Sequence, residues 1–261
     1  MNNKSPWAAL ILFVVFGLVF VAVWHFATLD PEQKGNKLPG PLPTAQDGWA
    51  LLREPFYDRG SNDKGIGIYA MYSIGRVLIG FLCGTAVAIL LGVVLGLNQT
   101  VFKALNPYIQ ILKAVSPIAW MPLFMYTVKN SVYVALLVVF MASLWPTLAN
   151  TAFGVSNIKK DFLSVSRILQ LTWPEKLFRV ILPAAGPTIV AGLRISYGAA
   201  WVAVVPAEAL LGTLGLGYFI WNEWNGLNLT SLIFAVFVIG MIGVVLEVGF
   251  NGLARKMAYV E

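Results

Sequence analysis

Residues 69–97 read YAMYSIGRVLIGFLCGTAVAILLGVVLGL. At about 1.5 Å per residue, a helix of that length outreaches the ~30 Å hydrocarbon core of a bilayer. Small residues recur within it at every fourth position: Gly80, Gly84, Ala88, Gly92 and Gly96. Residues four apart share one helix face, and in lipid a stripe of small side chains lets a second helix approach closely. The stripe is expected to lie against another transmembrane helix, and the chain to be an all-α integral membrane protein.

Composition supports that reading along the whole chain. Of 261 residues, 58% are hydrophobic and 11% charged, against about 45–50% and 25% in an ordinary soluble domain. Six spans of about 20 residues occupy roughly 120 residues. That leaves room for loops and excludes a twelve-helix transporter in one chain. Cys83 and His25 are the single residues of their kinds, which excludes an internal disulfide and a histidine-cysteine metal cluster. The formal net charge of +6 comes from basic residues scattered between long apolar runs. It reads as loop topology and an anionic cargo, and nucleic acid is not expected as a partner.

Outward from the stripe, the hydrophobic runs give about six transmembrane helices. Trp7 to Phe26 is an N-terminal anchor within a first unit, residues 1–27; the run is too long for a signal-peptide core and no small-x-small cleavage site follows. Residues 28–66 form a water-exposed connection on the periplasmic side, with a short amphipathic helix expected from Thr44 to Phe56. Thr44 would be its N-cap, and Trp49, Leu52 and Phe56 would share a face. Residues 67–256 form the main transmembrane unit. Its third span, Leu105 to Tyr126, is interrupted by Pro107, Pro117 and Pro122, and its fourth runs from Val132 to Ala152. The fifth runs from Thr188 to Pro206 and the sixth from Leu232 to Phe250. The glycine- and aromatic-rich stretch from Glu208 to Thr230 suits a membrane interface or a short re-entrant helix.

Between spans four and five, residues 154–187 leave the membrane without losing order. Ile158, Phe162, Val165 and Leu169 repeat at helical spacing. Thr172-Trp-Pro-Glu175 then reads as a capping box with proline in the first turn, opening a second short helix that Pro183 is expected to close. An amphipathic pair of this kind suggests a docking element. With the N-terminus inside, nine lysines and arginines fall in the cytosol and six outside. This is a positive-inside balance that places both termini in the cytoplasm.

No phosphate-binding loop and no Gly-Lys dipeptide occurs, so the chain is not expected to bind or hydrolyse ATP, and nothing supports a membrane enzyme. Transport remains. Charged side chains at membrane depth face protein or water. Lys113 and Arg194, counted at similar depth along spans three and five, are therefore expected to supply a positive zone for an anion. Trp120, Ser143, Trp145, Thr147 and Ser196 would give the path a neutral polar and aromatic lining. Glu208 and Glu247, near span ends, motivate the alternative of an ion-coupled secondary transporter.

Ser164-Val165-Ser166, then Gln170 after three residues, then Val180-Ile-Leu182-Pro183 after nine more, resembles the E-A-A, x3, G, x9, I-x-L-P cytoplasmic loop of ABC importer permeases. The glutamate, alanine and glycine positions are held by other residues, and Arg167 follows the triplet. Ala119-Trp-Met-Pro-Leu123, Ser143-Leu-Trp-Pro-Thr147, Gly192-Leu-Arg-Ile-Ser196 and Gly217-Tyr-Phe-Ile-Trp221 are similar to the permeases of nitrate, nitrite, bicarbonate, sulfonate and taurine importers, with the nitrate branch nearest. The resemblance implies a type I ABC importer permease fold in a bacterial inner membrane and a cargo of nitrate or a related small anion. It implies a second copy of the permease, two cytosolic ATPase subunits that hold the ATP and magnesium, and an extracytoplasmic binding protein. It also implies ATPase coupling through Ser164, Val165, Ser166, Arg167, Leu169, Gln170, Leu182 and Pro183.

Overall fold

The computed structural model describes residues 6–29, 38–60 and 63–258. In chain order the helices are α1 (Pro6–Ala27), α2 (Pro41–Arg53), α3 (Ile66–Leu97), α4 (Gln99–Ala114), α5 (Met121–Val128), α6 (Ser131–Ser156), α7 (Lys160–Ile168), α8 (Trp173–Lys176), α9 (Leu182–Leu211), α10 (Leu216–Asn225) and α11 (Leu229–Ala258). The only strand-like pairing among the described residues is one bridge between Asp58 and Lys64. Among the described residues, five helical stretches are long and apolar enough to cross a membrane, and α4 with the segment through α5, bent by 87°, makes a sixth if the pair is taken as one span.

That bend corrects the expectation of one span from Leu105 to Tyr126. Val115 and Ser116 are extended, Ser116 with ψ of 131°, and a tight turn at Pro117–Trp120 leads into α5. A residue before proline is pushed out of the helical region by the pyrrolidine ring, so the break falls one residue ahead of Pro117. Pro107 sits inside α4 without ending it.

The centre of the fold is α6, packed between α3 and α9. The stripe on α3 makes the first of these contacts. A methyl group on Gly84 would stand 2.7 Å from the Phe140 carbonyl oxygen, one on Gly92 2.6 Å from the Thr151 Cβ, and one on Gly96 2.7 Å from the Ala152 carbonyl oxygen. Gly80 faces Val139 in the same way, and Ala88 is fully buried. Only hydrogen fits where backbone meets backbone at this range.

At two helix ends a proline acts otherwise than the sequence suggests. α2 starts at Pro41 with Gly40 as its cap; Thr44 lies inside, buried, its hydroxyl donating to the Gly40 carbonyl at 2.9 Å. Proline in the first helical turn costs no hydrogen bond, which moves the start upstream of Thr44. Trp49 and Leu52 are exposed, and Phe56 lies beyond the helix, its ring beside Gly67. Nor does Pro183 close a short helix. From α8 the chain continues through a π-helical turn at Leu177–Ile181 directly into α9. The wider turn relieves the clash that the Pro183 ring would otherwise make with the carbonyl four residues back.

α1 stands apart, its described side chains exposed almost all round. It meets the rest through Trp24, whose indole N–H donates to the Pro39 carbonyl at 3.1 Å and whose ring lies 5.7 Å from that of Phe237. A helix that is apolar on every face suits lipid contact.

Candidate functional site

The loop between α6 and α9 is ordered by its own chemistry. The Glu175 carboxylate accepts the Thr172 backbone N–H at 3.0 Å and the Thr172 hydroxyl at 2.7 Å, the carboxylate half of the capping box read from the sequence. Ser166 is buried, whereas Ser164 and Gln170 are exposed. The side chains of Val165 and Arg167 lie outside the described residues. Phe162, Ile168, Leu169, Trp173 and Phe178 all stand more than half exposed. Gln170, at the position where the resembling loop carries glycine, has φ of +48°. This left-handed conformation is the one glycine adopts without cost, so Gln170 holds a backbone shape that glycine suits better. Leu182 is half-buried at the start of α9, and Pro183 is exposed.

The expected path residues separate into three groups. Ser143, Thr147 and Ser196 are fully buried between α6 and α9. The Thr147 and Ser196 hydroxyls are 2.7 Å apart, Ser196 donates to the Ser143 carbonyl at 2.7 Å, and Ser143 donates to the Val139 carbonyl at 2.9 Å. The two Ser196 bonds join α9 to α6, and the Ser143 hydroxyl is spent within α6. Trp120, in the turn before α5, and Trp145, on α6, are half-buried, and the indole N–H of each is buried without an acceptor among the described residues. Trp120 stacks on Phe124 at 6.4 Å.

The third group is the two cations. Lys113 lies exposed in the last turn of α4, beside the break. Arg194 is paired with Glu247 of α11 at 3.3 Å, both more than half exposed, at a cavity also lined by Tyr197, Trp201 and Phe250. Both helices start earlier than expected, α4 at Gln99, six residues before Leu105, and α9 at Leu182, six before Thr188, which puts Lys113 about 21 Å and Arg194 about 18 Å along their helix axes from those starts.

One polar cluster joins residues that no local spacing connects. Glu208 is fully buried near the end of α9, in ion-pair contact with Arg76 of α3, itself buried. The Ser73 hydroxyl donates to the Glu208 carboxylate at 2.7 Å, and the Gly217 backbone N–H donates to the same oxygen at 3.0 Å. Arg76 also donates to the Leu214 carbonyl at 3.1 Å, and Leu216 N–H donates to Ser73 Oγ at 2.8 Å. Each carboxylate that had suggested a proton relay is therefore matched with a guanidinium.

The comparisons with known proteins agree with this architecture. The chain resembles the MetNI methionine ABC transporter in its inward-facing crystal form with a TM-score of 0.63 over 81% of this chain and 98% of that one, at 14% identity. That likeness establishes a type I ABC importer permease fold. It is 37% identical to the nitrate import permease protein NrtB of Synechococcus elongatus, over 82% of this chain and 76% of the relative. The NrtB of Synechocystis is 36% identical over 79% and 74%, and the bicarbonate transport system permease protein CmpB of Synechococcus elongatus is 36% identical over the same shares. Residues 84–259 match the family described as binding-protein-dependent transport system inner membrane component. With two thirds of its length inside that family and its helices in that fold, the chain belongs to the inner-membrane permeases of binding-protein-dependent transport systems.

Proposed function

We propose that this chain is the permease of an ATP-driven importer whose cargo is a small inorganic anion, nitrate before bicarbonate. The observation that carries the cargo is the pair of nitrate permeases matched over most of their length. The bicarbonate permease at 36% identity keeps bicarbonate as the second reading. In this reading a second copy of the chain completes the path, and both termini face the cytosol. Two ATPase subunits dock on the α7–α8 loop, whose exposed Phe162, Leu169 and Trp173 they cover. A secondary transporter loses its motive, because Glu208 and Glu247 are already paired.

In this reading the path is lined by Lys113, Trp120, Trp145 and Arg194, whose polar groups the packing of α6 on α9 leaves free of the Ser143–Thr147–Ser196 bonds. An indole N–H donates and cannot accept, so the two buried and unmatched donors suit a cargo that carries only acceptor oxygens. Ser143, Thr147 and Ser196 hold α6 to α9 beside it. The test is the assembled complex in liposomes with its binding protein. Nitrate is expected to stimulate ATP hydrolysis most, and stimulation by neither nitrate nor bicarbonate overturns the proposal. For the path, Lys113→Gln and Arg194→Gln are each expected to lose anion uptake while ATP hydrolysis is retained. Parental uptake in both variants removes these two residues from the path.

A further inference from the structure

The Arg76–Glu208 cluster joins three helices at one end of the bundle, and the importer function as proposed leaves it without a role. The turn from α9 to α10 is shaped around the Glu208 carboxylate. Gly212 ends α9 in the left-handed conformation, with φ of +63°. A methyl group on Gly215 would coincide with the Glu208 carboxylate, and one on Gly217 with the Val205 carbonyl oxygen. The glycines let the N-terminus of α10 close over the acid, so that Gly217 N–H reaches it directly and Leu216 N–H through Ser73. The carboxylate thus sits where the dipole of α10 favours negative charge, and Arg76 supplies the opposite charge from α3. Around this knot Tyr69 of α3 packs on Phe219 and Tyr218 of α10, with ring centroids 5.5 and 6.4 Å apart.

A glycine-bounded turn at 212–215 gives the backbone freedom to hinge, so that α10 could swing on it. The clamp opposes that motion. Swinging α10 away from α3 would strip Gly217 N–H from the acid and Leu216 N–H from Ser73, and parting α3 from α9 would leave a guanidinium and a carboxylate unpaired at a buried site, among the most costly arrangements for charge in a protein or a bilayer. We propose that Glu208 is a positioning residue that, with Arg76 and Ser73, locks α3, α9 and α10 into one rigid unit, so that α10 keeps its place against α3 throughout the transport cycle. The proposal rests on the importer reading only in supposing a cycle driven by nucleotide.

The experiment places spin labels on Tyr72→Cys of α3 and Trp221→Cys of α10, both exposed, in a Cys83→Ser background. The interlabel distance is measured in the assembled complex, free of nucleotide and trapped with ADP and vanadate. The same distance in both states is expected; a shifted distance means that α10 moves and overturns the clamp. In the same labelled chain without nucleotide, Glu208→Gln is expected to broaden the distance distribution, and an unaltered distribution removes Glu208 as the positioning group. Should Glu208→Gln fail to fold, Ser73→Ala takes its place: it leaves the ion pair and deletes the hydroxyl that bridges the acid to Leu216 N–H. Broadening again supports the clamp, and a parental distribution overturns it. None of these distances depends on which anion is carried, so a wrong cargo and a wrong clamp give different results.

Discussion

The α3–α6 seam and the α7–α8 loop solve opposite problems. Along the seam, small side chains on one helix meet backbone on the other, and beside it, on α6 and α9, the hydroxyls of Ser143, Thr147 and Ser196 are bonded within the chain. In the loop, Ile168 is 80% exposed and Leu169 63%, although the backbone is capped at Thr172. The seam is complete in one chain. The loop holds a defined shape whose apolar surface the other described residues do not cover, the pattern expected of the docking surface proposed above. Substitutions should therefore cost stability in the first region and assembly in the second.

The largest expected effect belongs to the bundle side. Arg76→Met leaves Glu208 buried and unpaired and is expected to cost about 3–5 kcal/mol, read as a fall in detergent melting temperature. Arg76→Met with Glu208→Gln together should lose much less than the sum, because no charge is then stranded. Equal and additive losses would show that the two charges do not act as a pair. Gly84→Leu comes next. Its side chain starts 2.7 Å from a carbonyl oxygen on α6, so a helix must move, at about 1–3 kcal/mol or more. An unchanged melting temperature for both Gly84→Leu and Gly92→Leu would break the claim that this seam holds the bundle together.

A smaller effect, of opposite sign, is expected in the loop. Gln170 holds φ of +48°, which costs a side-chain-bearing residue roughly 1 kcal/mol relative to glycine. Gln170→Gly should stabilise the end of α7 by up to about that amount, seen as slower amide hydrogen exchange across residues 164–171. Faster exchange would mean that chain entropy outweighs the strain.

The contrast also explains what could be read in advance. The α3 stripe, the capped loop and the count of spans rest on short-range periodicity, which a single sequence displays. The bend ahead of Pro117 was signalled by proline, but Pro107, Pro146, Pro187 and Pro206 lie inside helices that continue through them. Proline identity alone does not separate a break from a tolerated kink; the extended residues before Pro117 do. Ser143, Thr147 and Ser196 looked like path lining because polar residues in a span attract that reading, yet they bond to one another across 49 and 53 residues. Arg76 and Glu208 are 132 residues apart, so no local spacing announces them. The available signals were an arginine inside an apolar run and glycines at 212, 215 and 217 just after an acid.

The smallest stability effect gives the sharpest separation of the two regions. Leu169 is 63% exposed just past the end of α7, and charge at an exposed site usually changes stability by no more than about 0.5 kcal/mol. Leu169→Glu should therefore insert and melt like the parent. If ATPase subunits bury this surface, the same carboxylate loses its water on assembly with no cation supplied to meet it, a desolvation cost that a docked interface does not tolerate. Copurification of the ATPase subunit and anion-stimulated hydrolysis should then fall at least tenfold, since even about 1.4 kcal/mol of lost interface energy shifts the equilibrium by that factor. Parental assembly and hydrolysis would place the docking surface elsewhere. A lowered melting temperature would instead show that Leu169 belongs to the fold of the loop, and the division between self-sufficient seam and partner-dependent loop would then fail at its clearest residue.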